Sequence, residues 1–304
     1  MNILSLFDGM SCARIALDRA NIPVTNYYAS EIDKYAIKVS QANYPEIIQL
    51  GDVQDISFKE GDIDLLIGGS PCQGFSFAGK QLNFDDPRSK LFWEYVKMLR
   101  VLKPKYFLLE NVRMKQKYQD VITEMLGVEP VMINSSLVSA QNRKRLYWTN
   151  IVFNMPEDKG INLKDILSDA QEPMLSLVHT EKAIEYMNRQ VKDGRTHWDF
   201  NHHSDASNNK SSCITANMYK GVPYNVLVQN DCIRKLDPVE CERLQTVPDN
   251  YTAHVSNTQR YKMLGNGFTV DVIAHILKGI NHLPQDRLGM PLAQLNNTAL
   301  SDRL

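Results

Sequence analysis

Asn2-Ile3-Leu4-Ser5-Leu6-Phe7-Asp8-Gly9-Met10-Ser11-Cys12 begins the chain with an apolar run that stops at a turn of small and polar residues. An apolar strand feeding a tight turn and then a helical stretch is the first step of a βαβ unit. The step recurs: residues 27–31, 64–67 and 106–109 are further short apolar runs, with amphipathic stretches between them. Residues 87–102 carry Leu91, Phe92, Tyr95, Val96, Leu99 and Leu102 close to helical spacing, and Pro104 stops the pattern before the next strand. The alternation predicts an α/β fold, a mostly parallel sheet covered by helices.

With 304 residues and 43% hydrophobic content, the chain can bury one full core and a smaller satellite. From about residue 154 to 230 the texture turns polar and rich in Asn, Ser and His, and an apolar helical pattern returns at 270–280. Residues 1–153 and 255–282 therefore read as the main body, 154–254 as a small separate domain and 283–304 as a weakly packed tail. The five cysteines, Cys12, Cys72, Cys213, Cys232 and Cys241, are odd in number, far apart and never spaced Cys-x-x-Cys. That points away from a disulfide framework or a zinc site and leaves room for a reactive thiol. The start lacks a basic flank with a long apolar stretch, and no run approaches the ~18 apolar residues of a membrane span. A soluble, cytoplasmic protein with no membrane partner is expected. A net charge of −1 means that any surface for a polyanion must be local.

The turn after the first run is a place where a ligand can approach free N–H groups at a helix start, with Phe7, Asp8, Gly9, Ser11 and Cys12 as lining candidates. Glu31 ends the second run, in Ala29-Ser30-Glu31-Ile32-Asp33, where a carboxylate can accept both ribose hydroxyls. Gly51-Asp52-Val53 adds an acid at the next turn. Alone, the first turn is equally an ordinary strand-to-helix connection; the two acids tilt the reading toward a nucleoside. The glycines of a G-x-G-x-x-G pyrophosphate cradle are missing, which argues against NAD and for a ligand such as S-adenosylmethionine.

Asp64-Leu65-Leu66-Ile67-Gly68-Gly69-Ser70-Pro71-Cys72-Gln73-Gly74-Phe75-Ser76 puts Cys72 just past a buried strand, in the crevice where open α/β sheets bind ligands. A cysteine taken at random is more often inert and buried. This loop of Gly, Pro and polar residues lacks the apolar surroundings such a residue needs. The fourth run ends in Glu110-Asn111-Val112, so a carboxyl reaches the same rim, although a strand-end Glu is commonly a cap or an ion-pair partner.

Pro71-Cys72-Gln73, Glu110-Asn111-Val112, Gln141-Asn142-Arg143-Lys144-Arg145 and Gly265-Asn266-Gly267, in that order, resemble the motif series of the cytosine carbon-5 DNA methyltransferases. Val131-Met132-Ile133-Asn134, Val138-Ser139-Ala140, Tyr251-Thr252 and Val255-Ser256-Asn257 are most similar to the catalytic domain of the eukaryotic de novo enzymes, a style that compact bacterial and phage enzymes share. The resemblance implies a Rossmann-like S-adenosylmethionine-dependent methyltransferase fold with a small target-recognition domain. It implies transfer of a methyl group to carbon 5 of a flipped-out cytosine in double-stranded DNA. Cys72 would be the nucleophile that adds to carbon 6, Glu110 would bind ring N3 and the exocyclic amine, and Arg143 and Arg145 would steady the cytosine carbonyl and the active-site loop. Pro71, Leu91 and Asn266 join the cofactor residues, with Ile32 and Val53 beside the two acids. Gln73, Ser76, Asn111 and Gln141 are implied on the DNA side, Asn111 by holding the loop. A cation cluster of Arg143, Lys144 and Arg145 beside Lys115 and Lys117 could meet phosphates. A cognate restriction endonuclease is admitted as a partner, and no obligate protein partner is indicated.

Two departures stand out. Gly267 occupies a position where many relatives carry Ser, and Asp8 with Ser11-Cys12 replace the small residues and second glycine of bacterial relatives. In the small domain, Ser211-Ser212-Cys213-Ile214-Thr215-Ala216-Asn217-Met218-Tyr219-Lys220-Gly221 is the candidate reader of DNA, through Thr215 and Asn217. Downstream, Asp237 is placed to cap a helix that Pro238 starts, with Arg243 paired to a nearby acid. Three rival readings stand beside this one. An amino-group methyltransferase would need a Pro-Pro-aromatic loop, where this chain has Ser70-Pro71-Cys72-Gln73. An enzyme acting on transfer RNA would share the motifs. A non-catalytic regulator would have lost the thiol, the Glu or the cofactor turn, all of which are present.

Overall fold

The computed structural model describes residues 1–70, 90–168, 185, 188, 202–203, 210–220, 226–229 and 232–282. The expectations for Pro71, Cys72, Gln73 and Ser76, and for the tail 283–304, lie outside the described residues. The first half alternates as its apolar runs predict. It contains β1 (Asn2–Leu6), α1 (Cys12–Arg19), β2 (Asn26–Ser30), α2 (Lys34–Asn43), β3 (Ile48–Gln49), β4 (Leu65–Gly68), α3 (Lys90–Leu102), β5 (Tyr106–Val112) and α4 (Gln116–Leu126). β6 (Val131–Asn134), β7 (Gln141–Asn142) and β8 (Lys144–Thr149) follow.

Among the described residues, seven strands form a sheet in the order β3-β2-β1-β4-β5-β8-β6. The first five of these run parallel, whereas β8 is antiparallel to both β5 and β6. Side chains along the central strands alternate between two apolar layers. Ile3, Leu65, Ile67 and Leu108 enter one cluster, and Leu4, Leu6, Leu66, Phe107 and Leu109 enter the other. Burial on both faces is why these strands read as continuous apolar runs.

The register places the site. Leu6 is level with Ser30 on one side and Gly68 on the other, and Gly68 is level with Leu109. The residues that follow, Phe7, Glu31, Gly69 and Glu110, therefore emerge along one edge. Chain direction across the sheet reverses between β1 and β4, the switch point where such sheets open a crevice.

The last helices are α5 (Pro238–Leu244), α6 (Asn257–Asn266) and α7 (Val270–Lys278). Asp237 and Glu240 form a reciprocal capping box at α5, with Pro238 in its first turn, and Arg243 pairs with Asp249 at 2.6 Å. α7 buries Val270, Val272, Ile273, Ala274, Ile276 and Leu277 and packs on α1. Each such valine, leucine or isoleucine side chain contributes roughly 1.5–3 kcal/mol on burial.

Leu236, Cys241, Leu244, Val247 and Tyr251 belong to the same apolar cluster as Ile3 and Leu277, as do Leu163 and Ile166. The packing thus draws residues 161–167 and 236–251 into the main body and narrows the small domain expected over 154–254. Between those stretches lie β9 (His202–His203), β10 (Ser211–Ser212), β11 (Val226–Gln229) and β12 (Cys232–Lys235). β9, β11 and β12 form a separate small sheet, while β10 pairs with β7. Among the described residues, no helix is long and apolar enough to cross a membrane.

Candidate active site

The turn after β1 is tightly wound. Phe7 at φ 57°, Gly9 at 61° and Ser11 at 63° are all left-handed, a conformation that costs a non-glycine residue free energy and persists only where neighbours enforce it. The neighbours are specific. Asp8 N–H donates to Ser30 O at 3.1 Å, Gly9 N–H donates to Glu31 Oε2 at 2.8 Å, and the Tyr251 hydroxyl donates to Met10 O at 2.8 Å. The Asp8 carboxyl receives Ser11 Oγ at 2.5 Å and the Tyr27 hydroxyl at 2.6 Å, and Ser11 Oγ also meets Ser40 Oγ. Burial raises the Asp8 carboxyl to about 6 against the pull of those hydroxyl donors.

Glu31 is held as firmly. Its Oε1 accepts the N–H groups of Ile32 and Asp33, each at 2.8 Å, which fixes the plane of the carboxylate beside the turn. The Ile32 side chain stands 74% exposed next to it. A fixed carboxylate beside an open apolar side chain suits a ribose diol with a base lying on the aliphatic surface, so these residues fit the nucleoside half of S-adenosylmethionine.

A cavity of about 340 Å³ runs from this turn across the sheet edge, a size suited to a small ligand. Phe7, Asp8, Gly9, Cys12 and Glu31 line one end, and Glu110, Asn111, Arg143 and Arg145 line the other. At that second end Arg145 Nε lies 3.0 Å from Glu110 Oε1, and both side chains are largely buried. Burial raises the Glu110 carboxyl, and Arg145 and then Arg143 draw it back.

The other expected residues are placed variously. Asn266 lines the cavity. Ser11 is fully buried and supports Asp8 from behind. Asp52 turns its carboxylate to the Gln54 N–H at 3.0 Å, Val53 is buried in the apolar layer, and Leu91 packs against that layer; none of the three lines the cavity. Asn111 is 1% exposed and donates to Ser70 Oγ at 3.1 Å. Thr215 is partly buried, its Oγ1 accepting the Asn217 N–H, while Asn217, Tyr219 and Lys220 are exposed.

Two expectations are corrected. Gln141 cannot reach DNA directly: it is fully buried, its amide donates to Leu244 O at 2.7 Å and Gln245 Oε1 at 2.8 Å, and its oxygen receives the Ile214 N–H. Arg143 is not part of a surface cation cluster, being 3% exposed. Its guanidinium donates to the carbonyls of Ile214 at 3.1 Å, Gly265 at 3.2 Å and Gly267 at 2.9 Å, and to Cys213 Sγ at 3.3 Å. Gly265 explains why those segments meet, since a Cβ there would lie 2.1 Å from the Thr215 carbonyl carbon. Of the proposed cluster, Lys144 is exposed.

Sequence reasoning named Asn266 but missed the rest of the face that α6 contributes. Gln259, Lys262, Met263 and Asn266 all line the cavity, and Lys262 reaches Asp33 at 2.9 Å across it. Their spacing of three, four and seven is a helix face, a signal present in the sequence.

The family pattern described as C-5 cytosine-specific DNA methylase matches residues 1–155 and 141–282. The type II methyltransferase M1.ScrFI of Lactococcus lactis subsp. cremoris is 32% identical, over 89% of this chain and 75% of its own length. M.HhaI of Haemophilus parahaemolyticus is 27% identical, over 92% and 94%. Among solved structures, the S. pombe Dnmt2 methyltransferase superposes with a TM-score of 0.71 at 19% identity, over 91% of this chain and 97% of that one. A DNA modification methyltransferase encoded within an E. coli prophage gives 0.66 at 20% identity, over 93% and 99%. The sheet, the crevice and these likenesses agree, and the chain belongs to the C-5 cytosine-specific DNA methylases, enzymes that transfer a methyl group from S-adenosylmethionine to cytosine in DNA.

Proposed function

We propose that the Glu31 end of the cavity holds S-adenosylmethionine and the Glu110 end holds a cytosine flipped out of double-stranded DNA, with Cys72 as the nucleophile. The observation that carries this reading is the single cavity joining the two ends. When bound, the cofactor supplies an electrophilic methyl group; the rest of the work falls to side chains of this chain.

Carbon 5 of cytosine is a weak nucleophile, so Cys72 as thiolate adds to carbon 6 and turns the ring into an enamine. Negative charge then builds on the ring, and Glu110, whose carboxyl is raised by burial against the pull of Arg145 and Arg143, donates a proton at N3. Arg145 fixes the Glu110 carboxyl and offers further N–H donors to the pyrimidine carbonyl. Loss of the carbon-5 proton afterwards expels Cys72 by elimination and restores the aromatic ring.

Asn217, Tyr219 and Lys220, all exposed, are proposed to contact the DNA. Arg143, Gln141 and Gly265 hold that segment against the catalytic body. A cognate endonuclease that cuts the same site is the proposed partner. Bisulfite sequencing of DNA from a host expressing the protein tests the reading. Conversion-resistant cytosines in one sequence context support it, and their absence from every context, with folded protein present, overturns it.

A further inference from the structure

We propose that Cys12 and Gly267 form a matched pair that shapes the cofactor end of the cavity, making the Cys12 side chain a determinant of affinity for the methyl donor. The proposal rests on the cofactor reading above. Gly267 sits at φ −70° and ψ 168°, an ordinary conformation that any residue adopts, so backbone freedom does not explain the glycine. Space does. A Cβ at this position would lie 3.3 Å from Cys12 Sγ, 3.3 Å from Met10 Cε and 3.2 Å from Met263 O.

Cys12 and Gly267 both line the cavity, and Cys12 is 2% exposed, so its thiol supplies the bulk that position 267 lacks. Burial pushes the Cys12 thiol up to about 12, which keeps it a neutral, soft group in this wall. Two hydrogen bonds hold the sides in register: Tyr251 to Met10 O, and Arg143 to Gly267 O.

The test is a double-mutant cycle read by calorimetric affinity for S-adenosylhomocysteine and S-adenosylmethionine. Gly267→Ala thickens the wall and is expected to weaken both ligands about tenfold. Cys12→Ala hollows it and is expected to weaken them about threefold. The double variant should bind more tightly than Gly267→Ala alone, and KM for the donor should follow these changes with kcat nearly constant. If Gly267→Ala does not fold, Cys12→Val thickens the same wall from the other side and carries the same expected loss. Losses that simply multiply in the double variant, or Gly267→Ala and Cys12→Val affinities equal to wild type, would overturn the pair. A purely structural contact would lower the melting temperature of the free protein and leave affinity unchanged. Failure of the wild-type protein to bind either ligand would instead sink the cofactor reading.

Discussion

Arg145 pairs with Glu110 diagonally across the antiparallel β5/β8 ladder: Glu110 is level with Tyr147, Arg145 is level with Val112, and the two charged groups meet at 3.0 Å. Diagonal neighbours on one face of a ladder are within reach of long side chains. The reversal of β8 is thus what delivers an arginine to a carboxyl at the end of a parallel strand. Glu110→Gln keeps the shape but removes the ionisable proton, and kcat is expected to fall about 10²- to 10⁴-fold with cofactor affinity unchanged. Arg145→Gln leaves the buried carboxyl without its partner, so Glu110 should titrate higher still and folding stability at neutral pH should drop. Carbon-13 titration of the Glu110 carboxyl and denaturant melts of both variants check the two effects.

Asp8 makes stability depend on pH. Folded Asp8 holds its proton to about pH 6, whereas an unfolded carboxyl releases it near 3.8. Between those values the unfolded state binds fewer protons, so the contribution is intact below the window and is lost as pH rises through it. Asp8→Asn cannot titrate. The wild-type unfolding free energy minus that of the variant should therefore decline by roughly 2–3 kcal/mol from pH 4 to pH 7. A flat difference would show that Asp8 titrates normally.

Gly265→Ala should dislodge the segment at residues 213–216, because no side-chain rotation clears a Cβ placed 2.1 Å from the Thr215 backbone. Hydrogen exchange over residues 211–220 is expected to accelerate in the variant, while β1, β4 and β5 keep their protection. DNA affinity should fall more than cofactor affinity.

Of Cys12, Cys213 and Cys241, Cys213 should alkylate first. It is partly exposed, and although burial works against ionisation, Arg143 and then Arg145 bring its thiol below the usual range. Cys12 and Cys241 are buried, and burial pushes both upward. Mass spectrometry after brief iodoacetamide treatment at pH 7.5 reads the order.

The sheet was legible because strands covered on both faces leave apolar runs that sequence displays directly. The rim residues Phe7, Glu31 and Glu110 followed from those run ends without further information. Gln141 was misjudged because a polar side chain that is fully buried looks identical in sequence to one that faces a ligand; only Leu244 and Gln245, a hundred residues away, show where its amide goes. Gln245 itself, bonded to Leu264 O, Gly267 O and Thr269 Oγ1, gave no local sign of its role. The stretch at residues 236–251 read as part of the small domain, while its apolar side chains join the main-body cluster that holds Ile3 and Leu277, a partnership between residues far apart in sequence.

The central claim is that a cysteine sulfur joins the base during the reaction. Duplex DNA bearing 5-fluorocytosine at the methylated position blocks the final elimination, so incubation with S-adenosylmethionine should leave protein and DNA linked through Cys72, visible as a shifted band on a denaturing gel. The Cys72→Ser variant, folded and still binding S-adenosylhomocysteine, should give none. A Cys72→Ser protein that formed the same adduct or still methylated cytosine, or a wild-type protein that methylated without ever being trapped, would contradict the account.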